Sequence, residues 1–373
     1  MTAKNFVNYH ILISHSPSCL NRDDMNMQKT AVFGGKSRVR ISSQSLKRAI
    51  RTSNYYQTHF GVPSVRTRNL ERLQTRFSEA LAGRFDAAVV KQALSWIAGK
   101  DGLAEGADAV APWSVAEVAY YCQRIQAETA AGLDEKKLAK EIEKDAQSLR
   151  QAMSQAIDIA LSGRMATSGL MTSIDGALAL AHAITTHAVE PQDVDWFTAV
   201  DDLTQDAGET GAGHLDTQQF SAGVFYRYAS LNLRQLQVNL GLLPALNSPE
   251  TPASRAQALT VAQHLLHLLA TVVPTAKQQS FAAHNPADFA LVSFSDLPIS
   301  LANAFEEAVK PGDKGLLAPS MQQLLNYWQG IHAFHGLNES VAGSASRALD
   351  FPPGIATQDS LAALESWIAR DGE

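Results

Sequence analysis

Cysteine is nearly missing from this chain: only Cys19 and Cys122 occur, far apart and outside any CxxC pair. That scarcity excludes a disulfide framework and a zinc ribbon, and it points to a reducing cytosol. No run of about 18 apolar residues occurs, so no membrane span is expected. The opening MTAKNFVNYH lacks the charged, apolar, small-residue order of a signal peptide, and the expected location is cytoplasmic. Net positive charge is missing too. At −6 the total alone argues against nucleic acid.

The distribution of charge argues the other way. Between Arg22 and Arg51 stand eight basic residues (Arg22, Lys29, Lys36, Arg38, Arg40, Lys47, Arg48, Arg51) and two acidic ones (Asp23, Asp24), a local +6. The remaining 23 basic and 35 acidic residues carry −12. Positive charge gathered in one short stretch gives a local electrostatic footprint, although the same pattern also fits a solvated basic face. With 373 residues, 45% of them hydrophobic, the chain can bury a large core arranged in two or three structural units. It shows no internal repeat.

Phe6 to His15 alternates as a strand, with Val7, Tyr9, Ile11 and Ile13 on one apolar face. Lys36, Arg38 and Arg40 alternate with Val39 and Ile41, so an extended segment would project three cations from one side. Ser42 or Ser43 can cap the helix that follows. That helix buries Leu46, Ala49 and Ile50 and turns Gln44, Lys47, Arg48 and Arg51 the other way. Residues 59–175 read as a helical block, its clearest helix running from about 133 to 161. Residues 177–189 alternate in a way that favours a strand, with a short helix as the alternative. A hairpin-like pair follows (194–200 and 214–231, with Gly208, Gly211 and Gly213 at its tip), then a helix at 256–273 and a strand at 289–294. The order strand 6–15, helix 43–52, strands 177–189 and 217–231, helix 256–273, strand 289–294 spells βαββαβ. That is the ferredoxin-like order of RNA recognition motifs.

The stretch HILISHSPSCLNRDDMNMQKTAVFGGKSRVRISSQSLKRA closely resembles the CasC-type backbone subunit family of Cascade, the type I-E crRNA-guided complex of bacteria. ALSGRMATSG, AHAITTHAV, DWFTAVDDL, QFSAGVFYRYA and AAHNPAD extend the resemblance from about residue 5 to 310. The loop 242–255 and the residues beyond 310 match more loosely. The resemblance implies an α+β fold shaped like a right hand. An RRM-like palm would take 1–58, 176–191 and 217–373, an inserted helical fingers domain 59–175, and a β-hairpin thumb 192–216. It implies copies of the chain stacked head-to-tail on one crRNA, with large, small, 5′-handle-binding and crRNA-processing subunits around them. The assembled complex would bind double-stranded target DNA, and a separate helicase-nuclease would do the cutting. No catalytic residue, metal or cofactor is implied for this chain.

A scaffold that holds any guide must grip phosphate and sugar, because base contacts would impose a sequence. Arg22, Lys29, Gln44, Lys47 and Arg51 stand at family positions that contact the crRNA backbone. Ser42 would add a hydroxyl or cap contact at a helix N-terminus, and Lys277 falls in a palm loop near the RNA. Taken alone, any of these cations could equally be paired with a surface carboxylate. Met165, Trp196, Phe197 and Leu215 match the places where the thumb pushes a nucleotide out of the stack. Apart from the resemblance, Trp196 and Phe197 are adjacent in a strand and point to opposite faces, so at least one is expected in the core. Lys136, Lys137 and Lys140 match a track for duplex DNA, although the fourth family lysine aligns nearer Glu143 than Lys144. A lysine row beside glutamates otherwise reads as a solvated helix face. Gly34 and Gly35 read as a turn.

Two rivals remain from the residues. Asp23 and Asp24 suggest a metal-dependent CRISPR-associated endoribonuclease, but no further carboxylates stand nearby to complete a site. His182 and His187 are five apart, which suits neither a helical zinc pair nor one strand face, and both read as structural or RNA-adjacent. A monomeric RRM-like regulator would show aromatic motifs on its central strands, which the 217–231 strand does not match apart from Phe225.

Overall fold

The computed structural model describes residues 4–66, 70–102, 112–132, 156–165, 173–199 and 212–373. The N-terminal elements are β1 (Phe6–Ser18), β2 (Thr30–Phe33), β3 (Lys36–Ile41), α1 (Ser43–Thr52) and α2 (Asn54–Phe60). Next come β4 (Val65–Arg66), α3 (Leu70–Ala80), α4 (Ala87–Gly102), β5 (Pro112–Trp113), α5 (Val115–Ala130) and α6 (Ile157–Ser162). The middle of the chain holds β6 (Leu178–Leu180), β7 (Ala183–Thr185), β8 (Gln192–Ala199), β9 (Ala212–Asn232), α7 (Leu233–Asn239), α8 (Pro252–Thr271) and α9 (Gln278–Phe281). The C-terminal elements are β10 (Phe289–Ser295), a 3-10 turn at Ala302–Phe305, α10 (Leu317–His335), β11 (Ser340–Ala345), β12 (Ile355–Thr357) and α11 (Leu361–Ala369). The chain divides into two compact units, one of 1–50, 180–230 and 263–373, the other of 51–179 and 231–262.

The first unit is built on a sheet of order β12-β11-β10-β1-β9-β7-β3-β2. Its centre, β10-β1-β9-β7, is the fourth, first, third and second strand of the βαββαβ series, the strand order of a ferredoxin-like fold. The fold is α+β with an RRM-like sheet, as the element order implied. β1 lies antiparallel to β10 in a register that sets Tyr9 opposite Val292 and Ile11 opposite Ala290. The alternation of β9 sorts its side chains onto two faces. Val224, Tyr226 and Tyr228 share a core with Leu12, Phe289 and Leu291, closed by Leu317, Met321, Leu324, Leu325 and Trp328 of α10. On the other face Arg227 Nη1 donates to the carbonyls of Leu269 and Val272 at the end of α8, both at 2.8 Å.

In an ordinary RNA recognition motif one sheet face is an open stacking platform for bases. Here α10 covers it. His10 stacks on Tyr228 and Tyr226 with centroids 5.3 and 6.2 Å apart, and its Nδ1 lies 2.8 Å from the Tyr226 hydroxyl. All three side chains are buried, which removes the surface that a monomeric RRM-like regulator would use.

The second unit has its own core, in which Leu73, Phe77, Val90 and Leu94 of α3 and α4 meet Val118, Tyr121, Cys122 and Ile125 of α5 and Ile159 of α6. Within it Arg164 and Glu117 form a two-pronged pair, Nη1–Oε2 at 2.7 Å and Nη2–Oε1 at 2.9 Å, with no exposure on either side chain. The Asp158 carboxylate accepts from the Ser64 amide and hydroxyl. Gly163 ends α6 with φ +76, and a Cβ there would lie 2.7 Å from the Gly176 nitrogen. The ALSGRMATSG motif therefore holds a buried ion pair and a close backbone crossing. Most of the helix expected at 133–161 lies outside the described residues.

Candidate nucleic-acid interface

The cation-rich N-terminal stretch is organised by one asparagine. Asn21 accepts the Lys29 amide through its carbonyl at 2.9 Å and the Ser42 amide through its side-chain oxygen at 2.8 Å. The loop carrying Arg22 is thereby tied to the start of α1. Ser42 caps that helix: its hydroxyl accepts the Ser45 amide at 3.3 Å, and it is buried. α1 buries Leu46 and Ile50, leaves Gln44 and Arg48 exposed, and holds Lys47 and Arg51 half-buried.

Arg22 is exposed and bonds the Asn26 side chain. Burial pushes the Cys19 thiol up, and the positive charges of Arg22 and Lys277 act against that shift. Lys277 itself takes a left-handed backbone, φ +54, at the start of α9. Asp23 serves its own loop. One carboxylate oxygen accepts both the Met25 and Met27 amides at 2.9 Å. Among the described residues no group of three or more metal-ligating side chains comes together.

One expectation is overturned. Arg38 does not project with Lys36 and Arg40; it is fully buried. Its guanidinium donates to the carbonyls of Thr185 at 3.1 Å and Phe305 at 2.9 Å, and burial lowers its pKa. It bolts β3 to β7 and to the 3-10 turn rather than facing a ligand. Gly34 and Gly35 form the two-residue turn of the β2–β3 hairpin, both with positive φ, the geometry of a type I′ turn.

The motif AHAITTHAV is also largely internal. His187 accepts the Val224 amide at Nε2 (3.2 Å) and donates from Nδ1 to the Ala188 carbonyl (3.1 Å); burial lowers its pKa. A Cβ on Gly223 would sit 2.3 Å from that ring. His182 is different. It is exposed, with Arg40 Nη1 donating to its Nδ1 at 3.0 Å.

β8 pairs antiparallel with β9 as a hairpin, with Phe197 directly opposite Leu215 and Trp196 opposite Asp216. Only the backbone of these residues is described. Met165 is 86% exposed, in the second unit. Lys136, Lys137 and Lys140 lie outside the described residues. Sequence reasoning missed Asn21 and Thr185, whose polar side chains bond distant backbone and leave no periodic signal.

The family of CT1975-like proteins matches residues 7–367, and the chain belongs to that family. No curated protein matches it. Among solved structures, a chain of a "CRISPR RNA-guided surveillance complex, pre-nicking" is similar over 99% of this chain and 100% of its own, with 27% identity and a TM-score of 0.77. A chain of a "CRISPR RNA-guided surveillance complex" matches over 98% and 99% with a TM-score of 0.61, and at 24% identity it supports the fold alone. No described helix is long and apolar enough to cross a membrane.

Proposed function

We propose that this protein is the non-catalytic backbone subunit of a type I-E CRISPR Cascade complex in the cytoplasm, polymerising head-to-tail along crRNA. The observation that carries the reading is the end-to-end likeness to a chain of an RNA-guided surveillance complex, complete in both chains. The N-terminal cations supply a compatible chemistry. Arg22, Lys29, Gln44, Lys47, Arg51 and Lys277 hold ribose-phosphate without consulting bases, and Ser42 orders the helix that carries three of them. Palm, helical fingers and hairpin thumb divide the work. Met165, Trp196, Phe197 and Leu215 kink the guide into readable segments for pairing with target DNA, and Lys136, Lys137 and Lys140 track the duplex. The other Cascade subunits are its partners.

The nuclease alternative loses support from Asp23, whose carboxylate is engaged by two backbone amides. The test is co-expression with a guide RNA followed by mass measurement and nuclease footprinting. A filament with RNA protected at a regular interval supports the reading. Metal-dependent cleavage, or a one-to-one complex, overturns it.

A further inference from the structure

Arg40, His182 and Lys29 converge on an exposed part of the first unit. The Arg40 amide donates to the Lys29 carbonyl at 2.9 Å, which sets the two side chains on neighbouring backbone. Arg40 uses Nη1 on His182 Nδ1 at 3.0 Å and Nε on the Thr30 carbonyl at 3.4 Å. Among the described residues its Nη2 has no protein partner, and neither has the Lys29 ammonium. Arginine has no acceptor, so the bond to His182 fixes the imidazole tautomer: Nδ1 accepts and Nε2 carries the hydrogen. Burial, Arg40 and Lys29 together lower the pKa of His182, so the ring stays neutral and Nε2–H remains a donor. The charges felt at this ring are both positive, an arrangement that repels itself until an anion arrives.

We propose that Arg40 and His182, with Lys29 beside them, form a phosphodiester-binding site in which Arg40 Nη2, His182 Nε2 and the Lys29 ammonium are the donors. The ligand class is one backbone phosphate of a single-stranded polynucleotide, and the site extends the RNA-gripping surface from α1 onto β3 and the start of β7. This rests on the function proposed above. His182 acts as a neutral relay that accepts from the arginine on one side and donates to phosphate on the other.

The experiment measures fluorescence-anisotropy titrations of the full chain with a labelled single-stranded RNA of mixed sequence, against salt, with thermal unfolding in parallel. Arg40→Gln and His182→Ala each weaken binding about 3- to 10-fold, the net effect of one typical hydrogen bond lost at a solvent-exposed site. His182→Gln, which can accept and donate in the same sense, stays within about 2-fold of the wild type. Should Arg40→Gln unfold the protein, the two His182 variants carry the test, because that ring is exposed. If both His182 variants bind like the wild type while Lys47→Ala weakens binding, this inference fails and the proposed function stands. If Lys47→Ala and Arg51→Ala also change nothing, both fail.

Discussion

Arg38 and Arg40 alternate on β3 with one residue between them, so both side chains leave the strand on the same side. Arg38 nevertheless passes under the Phe305 carbonyl and is buried, while Arg40 stays half-exposed beside His182. What separates them is the acceptors within reach. Carbonyls from Thr185 and Phe305 replace the water that Arg38 gives up, although its Nε finds no partner there. Arg38→Met should therefore lower unfolding stability by about 2–4 kcal/mol, because two buried carbonyls lose donors of the kind worth about 1–3 kcal/mol each. Lys29→Ala, at a half-exposed position, should change stability by less than about 0.5 kcal/mol while weakening RNA binding. Urea denaturation of both variants decides the matter. Equal, small losses would mean that Arg38 is a surface cation after all.

The β2–β3 hairpin is the element that carries Lys29, Arg38 and Arg40 into place, and its turn is where it can be moved. A Cβ on Gly34 would lie 1.7 Å from the Glu306 carbonyl oxygen, whereas one on Gly35 would meet nothing within 4 Å. Both residues have positive φ, so alanine at either carries a backbone strain of about 1–2 kcal/mol. Gly34→Ala should exceed that penalty and shift the hairpin, reducing RNA affinity as well; Gly35→Ala should show the strain alone. Identical unfolding midpoints for the two variants would show that the turn does not seat on Glu306. Strands and helices with strong periodicity, β1, α1, β9 and β10, were legible in the sequence because one face of each is apolar. β4 and β5 are two residues each, and β11 is Ser340–Ala345, mostly small side chains. Such segments carry no period. The site was legible as a concentration of charge, but not in which cations reach solvent. Arg38 is bound by acceptors 147 and 267 positions away, and Asn21 organises Ser42 across 21 positions.

Over the whole molecule, buried histidines set the response to pH and exposed cations the response to salt. His10 and His15 are buried in the first unit, and burial depresses both imidazoles to about 3, with Arg227 adding to the effect at His15. In the unfolded chain each takes a proton near pH 6.5. Their depressed folded values mean that stability is fully present above pH 6.5 and is lost as pH falls below it, since only the unfolded state gains protons. Each histidine contributes about 1.4 kcal/mol per pH unit at most, so urea midpoints should drop clearly between pH 6.5 and 5. A flat profile there would contradict the burial of both rings. The RNA binding proposed above draws on the other side of the charge distribution. The chain is −6 overall, but the stretch from Arg22 to Arg51 is locally +6, so attraction to a polyanion is short-ranged and depends on direct contact. If Arg22, Lys29, Lys47, Arg51 and Lys277 each neutralise one phosphate, the logarithm of affinity should fall against log salt with a slope of about −3.5 per subunit, taking about −0.7 per single-strand contact. Replacing any one of the five with alanine should reduce that slope by one contact whatever the RNA sequence. A slope near zero, or one that varies with base composition, would place the polynucleotide somewhere other than on these cations.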